Sequence, residues 1–208
     1  LKGKEIEVLA KVDLILVEDT RVAKKLLNHY EINTKTKSYH VYNEHKTLSE
    51  IINLLISDNS IGLVSDSGYP CISDPGFTLV REAISKGIDL ESLPGASSII
   101  PALTQSGFPT TCFIFEGFLP KKKGRQKKIL ELSKEKRTIV LFESPYRLIK
   151  LLNEIKDICG VEKNISISRE ISKIFEETIR GTVKECLIHF EKNEPKGEFV
   201  ICIQGIKT

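Results

Sequence analysis

Short apolar runs alternate with amphipathic stretches along almost the whole chain, and that alternation constrains the fold more than any other feature. Strand-like runs occupy residues 12–17 (VDLILV), 38–42, 61–65, 90–93, 112–116, 138–143, 164–169 and 199–204. Between them, residues 21–30, 47–57, 77–86, 97–106, 126–134, 146–158 and 182–190 carry apolar side chains at helical spacing, as in Leu48, Ile51, Ile52 and Leu55. Strand, helix, strand repeated in this way predicts an α/β fold with largely parallel sheets, the later strands being free to pair antiparallel. Ligands of such sheets bind beyond the carboxyl ends of the strands, so the loops that follow strands are where chemistry is sought.

The 208 residues suit one large α/β domain or two lobes of about 100 residues each. A Pro-Gly turn in SLPGASS (residues 92–98) marks the boundary, giving lobes 1–93 and 94–208. No stretch approaches the roughly 20 apolar residues of a membrane helix, and 40% apolar against 28% charged residues excludes a disordered chain. Net charge is only +3, so any nucleic-acid signal has to be local. It is found in residues 121–128, KKKGRQKK, six basic residues in eight. The bland reading of that run is a solvated charged face. Five cysteines without a C-x-x-C pair predict free thiols and a reducing cytoplasm, and the four histidines lack metal-ligand spacing, so no metal is expected.

Several loops after strands concentrate polar chemistry. Residues 64–76, VSDSGYPCISDPG, pack two glycines, two prolines and two aspartates into a stiff turn; Gly68 admits close backbone approach, and Asp66 can accept hydrogen bonds from hydroxyl or ammonium groups. It is neither a G-x-G-x-x-G nor a P-loop sequence. Ser97 and Ser98 stand at a helix start, where free N–H groups favour a carboxylate or carbonyl, although simple capping is the stronger reading of the segment taken alone. Glu18-Asp19-Thr20-Arg21, Asn43-Glu44-His45 and Glu143-Ser144-Pro145-Tyr146-Arg147 each set acid and base at a strand end, or alternatively only start the next helix.

In order, VEDTR (Val17–Arg21), YNEH (Tyr42–His45), VSDSGYPCISDPG, LPGASS (Leu93–Ser98), EGFLP (Glu116–Pro120), FESPYR (Phe142–Arg147), SREISKIFEE (Ser168–Glu177) and PKGEFV (Pro195–Val200) resemble the tetrapyrrole methylase superfamily. The match is to the branch that methylates the 2′-oxygen of a cytidine ribose in 16S rRNA of the small ribosomal subunit. The resemblance implies two α/β lobes with S-adenosylmethionine in the cleft between them. Carried over position by position, the cofactor contacts are Asp66, Ser67, Gly68, Tyr69, Ser97 and Ser98, with Phe142, Glu170 and Glu198 as additions from the second lobe. A ribose hydroxyl needs a base to accept its proton. Glu18, Asp19 and Glu44 are the candidates, with Glu143 a fourth, and the choice between them stays open. Arg21, Lys121, Lys122, Lys123, Arg125, Arg147 and Arg169 are the expected phosphate contacts, and 16S rRNA or the 30S subunit the expected partner of a cytoplasmic homodimer.

Members of the superfamily usually open with a strand and a T-P-I-G-N-L-type loop, which nothing before Leu1 supplies, and often carry a helical tail beyond K-G-E-x-V-L-x-I-x-G, whereas this sequence stops at Thr208. A first sheet short of a central strand is the expectation. Two other readings share the motifs: a tetrapyrrole or other small-substrate methylase, and a non-catalytic RNA-binding assembly protein.

Overall fold

The computed structural model describes residues 3–206 and divides the chain into two compact units, Leu1–Ser97 and Ser98–Thr208. The division falls after Ser97, inside the SLPGASS segment.

In the first unit the elements run α1 (Lys4–Lys11), β1 (Leu14–Val17), α2 (Thr20–His29), β2 (Thr36–Ser38), α3 (Glu44–Ile56), β3 (Ile61–Val64) and α4 (Phe77–Ser85). The three strands form a parallel sheet in the order β2-β1-β3. Alternate residues of β1 explain the layering: Ile15 and Val17 pack with Leu9, Ala23 and Leu27 of α1 and α2, whereas Leu16 packs with Ile51, Ile52, Leu79 and Ala83 of α3 and α4. A strand buried on both faces needs an uninterrupted apolar sequence, and LILV provides it. Residues 90–93 do not form the predicted strand. The segment pairs with no strand, and Leu90 is half exposed. Helix α1 lies outside the predicted helices: four of its eight residues are charged, and Ile6 and Leu9 supply its contact with the core.

The second unit contains α5 (Ile99–Ser106), β4 (Phe113–Phe118), α6 (Arg125–Leu132), β5 (Thr138–Glu143), α7 (Pro145–Cys159), β6 (Asn164–Arg169), β7 (Glu177–Thr182), α8 (Val183–Lys192) and β8 (Phe199–Ile203). Its sheet order is β4-β5-β8-β6-β7, with β4 and β5 parallel and the remaining pairs antiparallel. Ile139, Leu141, Ile165, Ile167, Ile201 and Ile203 face α6, α7 and α8; Val140, Val200 and Cys202 face α5 from the other side. Strand β7 escapes a hydrophobicity reading because ETIRGT lies at the sheet's edge and contributes one apolar residue, Ile179, to the core.

All five cysteines are free thiols. Burial pushes Cys202 up to about 12, and burial followed by the nearby Glu185 charge pushes Cys186 up to about 11. Because the thiolate is the reactive form, the expected order of labelling by a thiol reagent is Cys112, exposed on its loop, well before Cys71 and Cys159, with Cys186 and Cys202 reacting only on unfolding. Mass spectrometry of partly labelled protein reads this order directly. Raised thiol pKa values stabilise the fold below the unfolded value near 9, and that contribution fades as pH climbs toward 11–12.

Candidate active site

Because β1, β2 and β3 run parallel, their carboxyl ends share one edge, and the loops of the first unit meet there. The Asp66 amide donates to Glu18 Oε1 at 3.2 Å, and the Asp19 amide donates to Asp66 Oδ1 at 3.4 Å. Glu18, Asp19 and Asp66 thus form one acidic cluster across two neighbouring strand ends. Asp19 is also the N-cap of α2: its Oδ1 accepts the Arg21 amide at 2.8 Å, and its Oδ2 accepts Arg21 Nη2 at 2.6 Å. Those Arg21 bonds hold the Asp19 carboxyl down at about 2. A carboxylate so acidic is a poor proton acceptor near neutral pH, which weighs against Asp19 as the base.

Glu44 opens α3 and belongs to a different group. The phenol of Tyr39 is fully buried and is pushed up to about 12, first by burial and then by the Glu44 charge. Cys71 is raised by burial and by the charges of Asp74 and Glu44. Tyr39, Glu44, Cys71 and Asp74 therefore lie near one another, Cys71 and Asp74 within the loop that follows β3, and no hydrogen bond or ion pair described for Glu44 joins it to the Glu18 cluster. In the sequence, Tyr39 belongs to no motif that marks it as buried beside a carboxylate.

The loop after β3 is as tightly wound as its composition predicts. Cys71 and Ser73 hold left-handed backbone (φ 69° and 66°), and at Gly76 (φ 130°) a Cβ would stand 2.6 Å from Leu63 and 2.7 Å from Cys71 Sγ. Gly68 (φ 82°) instead has open space where a Cβ would stand, beside the exposed Asp66 and Ser67. Tyr69 ties the loop to residues 92–95: its hydroxyl bonds the Ser92 hydroxyl and donates to the Leu93 carbonyl at 2.9 Å, and its ring lies 3.3 Å from a Cβ at Gly95. Ser97 ends the first unit. Ser98 is the N-cap of α5 but forms no side-chain capping bond, so capping does not consume its hydroxyl.

In the second unit the register brings a second group of candidates to one sheet edge. The ends of β5 and β6 both meet the start of β8 at Phe199, and β4 ends beside β5. Phe142 packs against Phe115 and Phe118 with ring centroids 5.0 and 5.5 Å away. Glu170 Oε1 accepts the Glu198 amide at 2.9 Å and Lys173 Nζ at 3.0 Å, while Lys173 also reaches Glu198 Oε2 at 2.9 Å. The Glu198 amide and Lys173 hold the Glu170 carboxyl below its usual range. Lys173, the bridge, lies in the turn segment between β6 and β7, where no helical periodicity marks its pairing with Glu170.

The expected phosphate contacts separate into two kinds. Lys121, Lys122 and Lys123 are exposed on the loop after β4, and Tyr146 stands 95% exposed at the start of α7. Arg21 projects into solvent while paired with Asp19, and Arg147 and Arg169 are partly exposed and paired with Glu143 and Glu177. Arg125 is a correction: its side chain is 3% exposed, bound to Glu143 at 3.1 Å and to Glu154 at 2.7 Å. A guanidinium buried between two carboxylates is not a solvated phosphate ligand. Glu143, 0% exposed in its side chain and bound by two guanidinium groups, is likewise closed to a substrate hydroxyl. Lys128 pairs with Glu116 at 2.7 Å. Among the described residues no group of three or more His, Cys, Asp or Glu side chains is placed to hold a metal, and no helix is long and apolar enough to cross a membrane.

Residues 4–187 match the family model for tetrapyrrole (corrin/porphyrin) methylases. A protein of Thermotoga maritima named ribosomal RNA small subunit methyltransferase I is 44% identical over 97% of this chain and 90% of its own length. Its namesake in Synechocystis is 42% identical over 97% of this chain and 73% of its own. Among solved structures, diphthine synthase aligns with a TM-score of 0.76 at 13% identity, covering 99% of this chain and 84% of that one. Uroporphyrin-III C-methyltransferase from Thermus thermophilus, complexed with S-adenosyl homocysteine, aligns at 0.64 and 15% identity over 98% and 90%. At those identities the structures speak for the fold, and the close relatives for the branch. The chain belongs to the tetrapyrrole methylase family, within its ribosomal RNA small subunit methyltransferase I branch.

Proposed function

We propose that this methyltransferase uses S-adenosylmethionine to methylate the 2′-oxygen of a cytidine ribose in 16S rRNA, acting as a homodimer on the 30S subunit in the bacterial cytoplasm. The observation that carries the reading is the near full-length match to relatives named for ribosomal RNA methylation.

The residues suit the donor. The open backbone at Gly68, the exposed Ser67 and the uncapped Ser98 hydroxyl offer hydrogen bonds to its polar ends, and Asp66 is a carboxylate for its hydroxyl or ammonium groups. Tyr69, with its hydroxyl committed to Leu93, contributes backbone and ring, and Ser97 stands next in line. The resemblance adds Phe142 as an apolar contact and Glu170 and Glu198, whose carboxylates Lys173 bridges. When bound, S-adenosylmethionine supplies an electrophilic methyl group on a sulfonium. Holding donor and acceptor in line is the protein's main contribution to such a displacement.

Of the candidate bases, Glu18 is the one the geometry favours. Arg21 neutralises Asp19, Glu44 faces the buried Tyr39, and Glu143 is enclosed by arginines, whereas Glu18 lies at the sheet's carboxyl edge with one oxygen on the Asp66 amide. Lys121, Lys122 and Lys123, with Arg21, Arg147 and Arg169, take the phosphates of the RNA.

The test is transfer of labelled methyl to 30S subunits, naked 16S rRNA and a porphyrinoid in parallel. Label is expected in ribose, with the ribosomal substrate alone; label in the porphyrinoid overturns the reading. Calorimetry with S-adenosylmethionine separates an enzyme from a non-catalytic RNA binder, and gel filtration reads the dimer.

A further inference from the structure

The KKKGRQKK run is not one patch of like charges. Its cations divide into exposed ones, Lys121, Lys122, Lys123 and Lys127, and two turned inward, Arg125 and Lys128. Arg125 is the more deeply placed. Its Nε donates to Glu154 at 2.7 Å, one Nη to the Glu143 carboxylate at 3.1 Å and the other to the Pro120 carbonyl at 3.2 Å. Glu143 in turn accepts Arg147 Nε at 2.7 Å and the Ser144 amide at 2.9 Å. Both carboxylates are shared, Glu143 between Arg125 and Arg147 and Glu154 between Arg125 and the more exposed Lys150 at 3.9 Å, so the buried Arg125 guanidinium is committed to protein partners.

The Pro120 bond gives the network its reach. Lys121–Gly124 lie between two fixed points: Leu119, 3% exposed in the apolar core, and Arg125 at the first turn of α6. The Arg125 amide closes the turn on the Lys122 carbonyl at 3.3 Å, and Gly124 takes the left-handed conformation (φ 85°) that the turn requires. The segment between holds three lysines, none of which has an ion-pair partner among the described residues. An ordinary lysine loop loses considerable freedom when it grips a phosphate. Here the main chain beneath the lysines is already held.

We propose that Arg125 is a positioning residue: through Glu143, Glu154 and the Pro120 carbonyl it holds the Lys121–Lys123 loop as a pre-ordered cationic cluster for the phosphate backbone of the RNA. The inference rests on the RNA-methylating function proposed above. It assigns Arg125 no phosphate of its own.

The experiment compares wild type with Arg125→Lys, Arg125→Met and the triple variant Lys121→Ala/Lys122→Ala/Lys123→Ala. KM and kcat are measured with 30S subunits, and binding to polyuridylate is followed as salt is varied. The triple variant is expected to lose roughly one unit of the log–log salt slope per lysine. Arg125→Lys and Arg125→Met are expected to raise KM and weaken polyuridylate binding by about tenfold, the cost of ordering side chains only on binding. Their kcat and salt slope stay at the wild-type values. Hydrogen exchange is expected to quicken at residues 121–124 by more than any loss of protection in β5, whose last residue, Glu143, also belongs to the network.

A slope lowered by about one in Arg125→Met means a direct phosphate contact and overturns the proposal. So does unchanged KM and binding in both variants, which leaves the network a purely structural role. If Arg125→Met does not fold, Arg125→Lys with its exchange pattern decides: unaltered exchange at residues 121–124 counts against the proposal. If wild type methylates no ribosomal RNA, the functional reading fails, while polyuridylate binding and exchange still decide the role of Arg125; wild type that binds no polyuridylate overturns that role.

Discussion

Glu143→Ala is expected to lower the stability of the second unit by about 3–5 kcal/mol, the usual consequence of removing one partner from a buried ion pair. Glu143 is 0% exposed in its side chain and is shared by Arg125 and Arg147 at 3.1 and 2.6 Å. Its loss leaves the buried Arg125 with Glu154 as its only carboxylate and removes the acceptor of the Ser144 amide at the start of α7. Replacing the whole network by apolar side chains need not be costly, since the desolvation of four charged groups would disappear with it. Breaking half of it is what costs. Urea unfolding followed by amide exchange in β5 and α7 isolates the second unit from the first, as a chain of two units need not unfold in one step. Glu143→Gln, which still accepts the Ser144 amide, is expected to lose less. A shift below about 1 kcal/mol in the alanine variant would place the network in the class of exposed pairs.

Glu18→Gln is expected to lower kcat by a factor of about 10²–10⁴, the range over which a positioned base contributes, with S-adenosylmethionine affinity close to that of wild type. Asp19→Asn is the contrasting case. Asparagine caps a helix as well as aspartate does, so α2 is preserved, and a carboxyl already held at about 2 was no base to lose. Its effect falls on Arg21, which loses its ionic partner. Glu44→Gln is expected to leave kcat nearly intact and to bring the Tyr39 phenol back toward its ordinary range. Ultraviolet titration at alkaline pH would detect this, since the Glu44 charge adds to burial in holding that phenol at about 12. Full activity in all three variants would exclude every one of these carboxylates as the base.

What was legible in the sequence was local. Strand β5, TIVLFE, and strand β6, NISISR, are each written as a run whose neighbours in sequence settle its conformation, and helix α7 carries its stripe, its N-terminal proline and its terminal glycine within one segment. The motifs that identify the branch are equally local, for they are backbone-shaping loops after strands: the bend at Gly76 admits no side chain, whichever ligand the loop serves.

Pairing is a different matter. Residues 90–93 have the composition of a strand yet stay unpaired and largely exposed, whereas the polar ETIRGT pairs with β6 as β7. Charge follows the same rule. In sequence, Arg125 is one of six basic residues in a run, indistinguishable from Lys121 or Lys123. Only the tertiary structure sets it against Glu143 and Glu154, 18 and 29 residues further along the chain. A side chain's periodicity is fixed by the backbone it sits on, so sequence determines it. The sign and distance of the charges around it are fixed by segments remote in the chain, and folding alone brings those together.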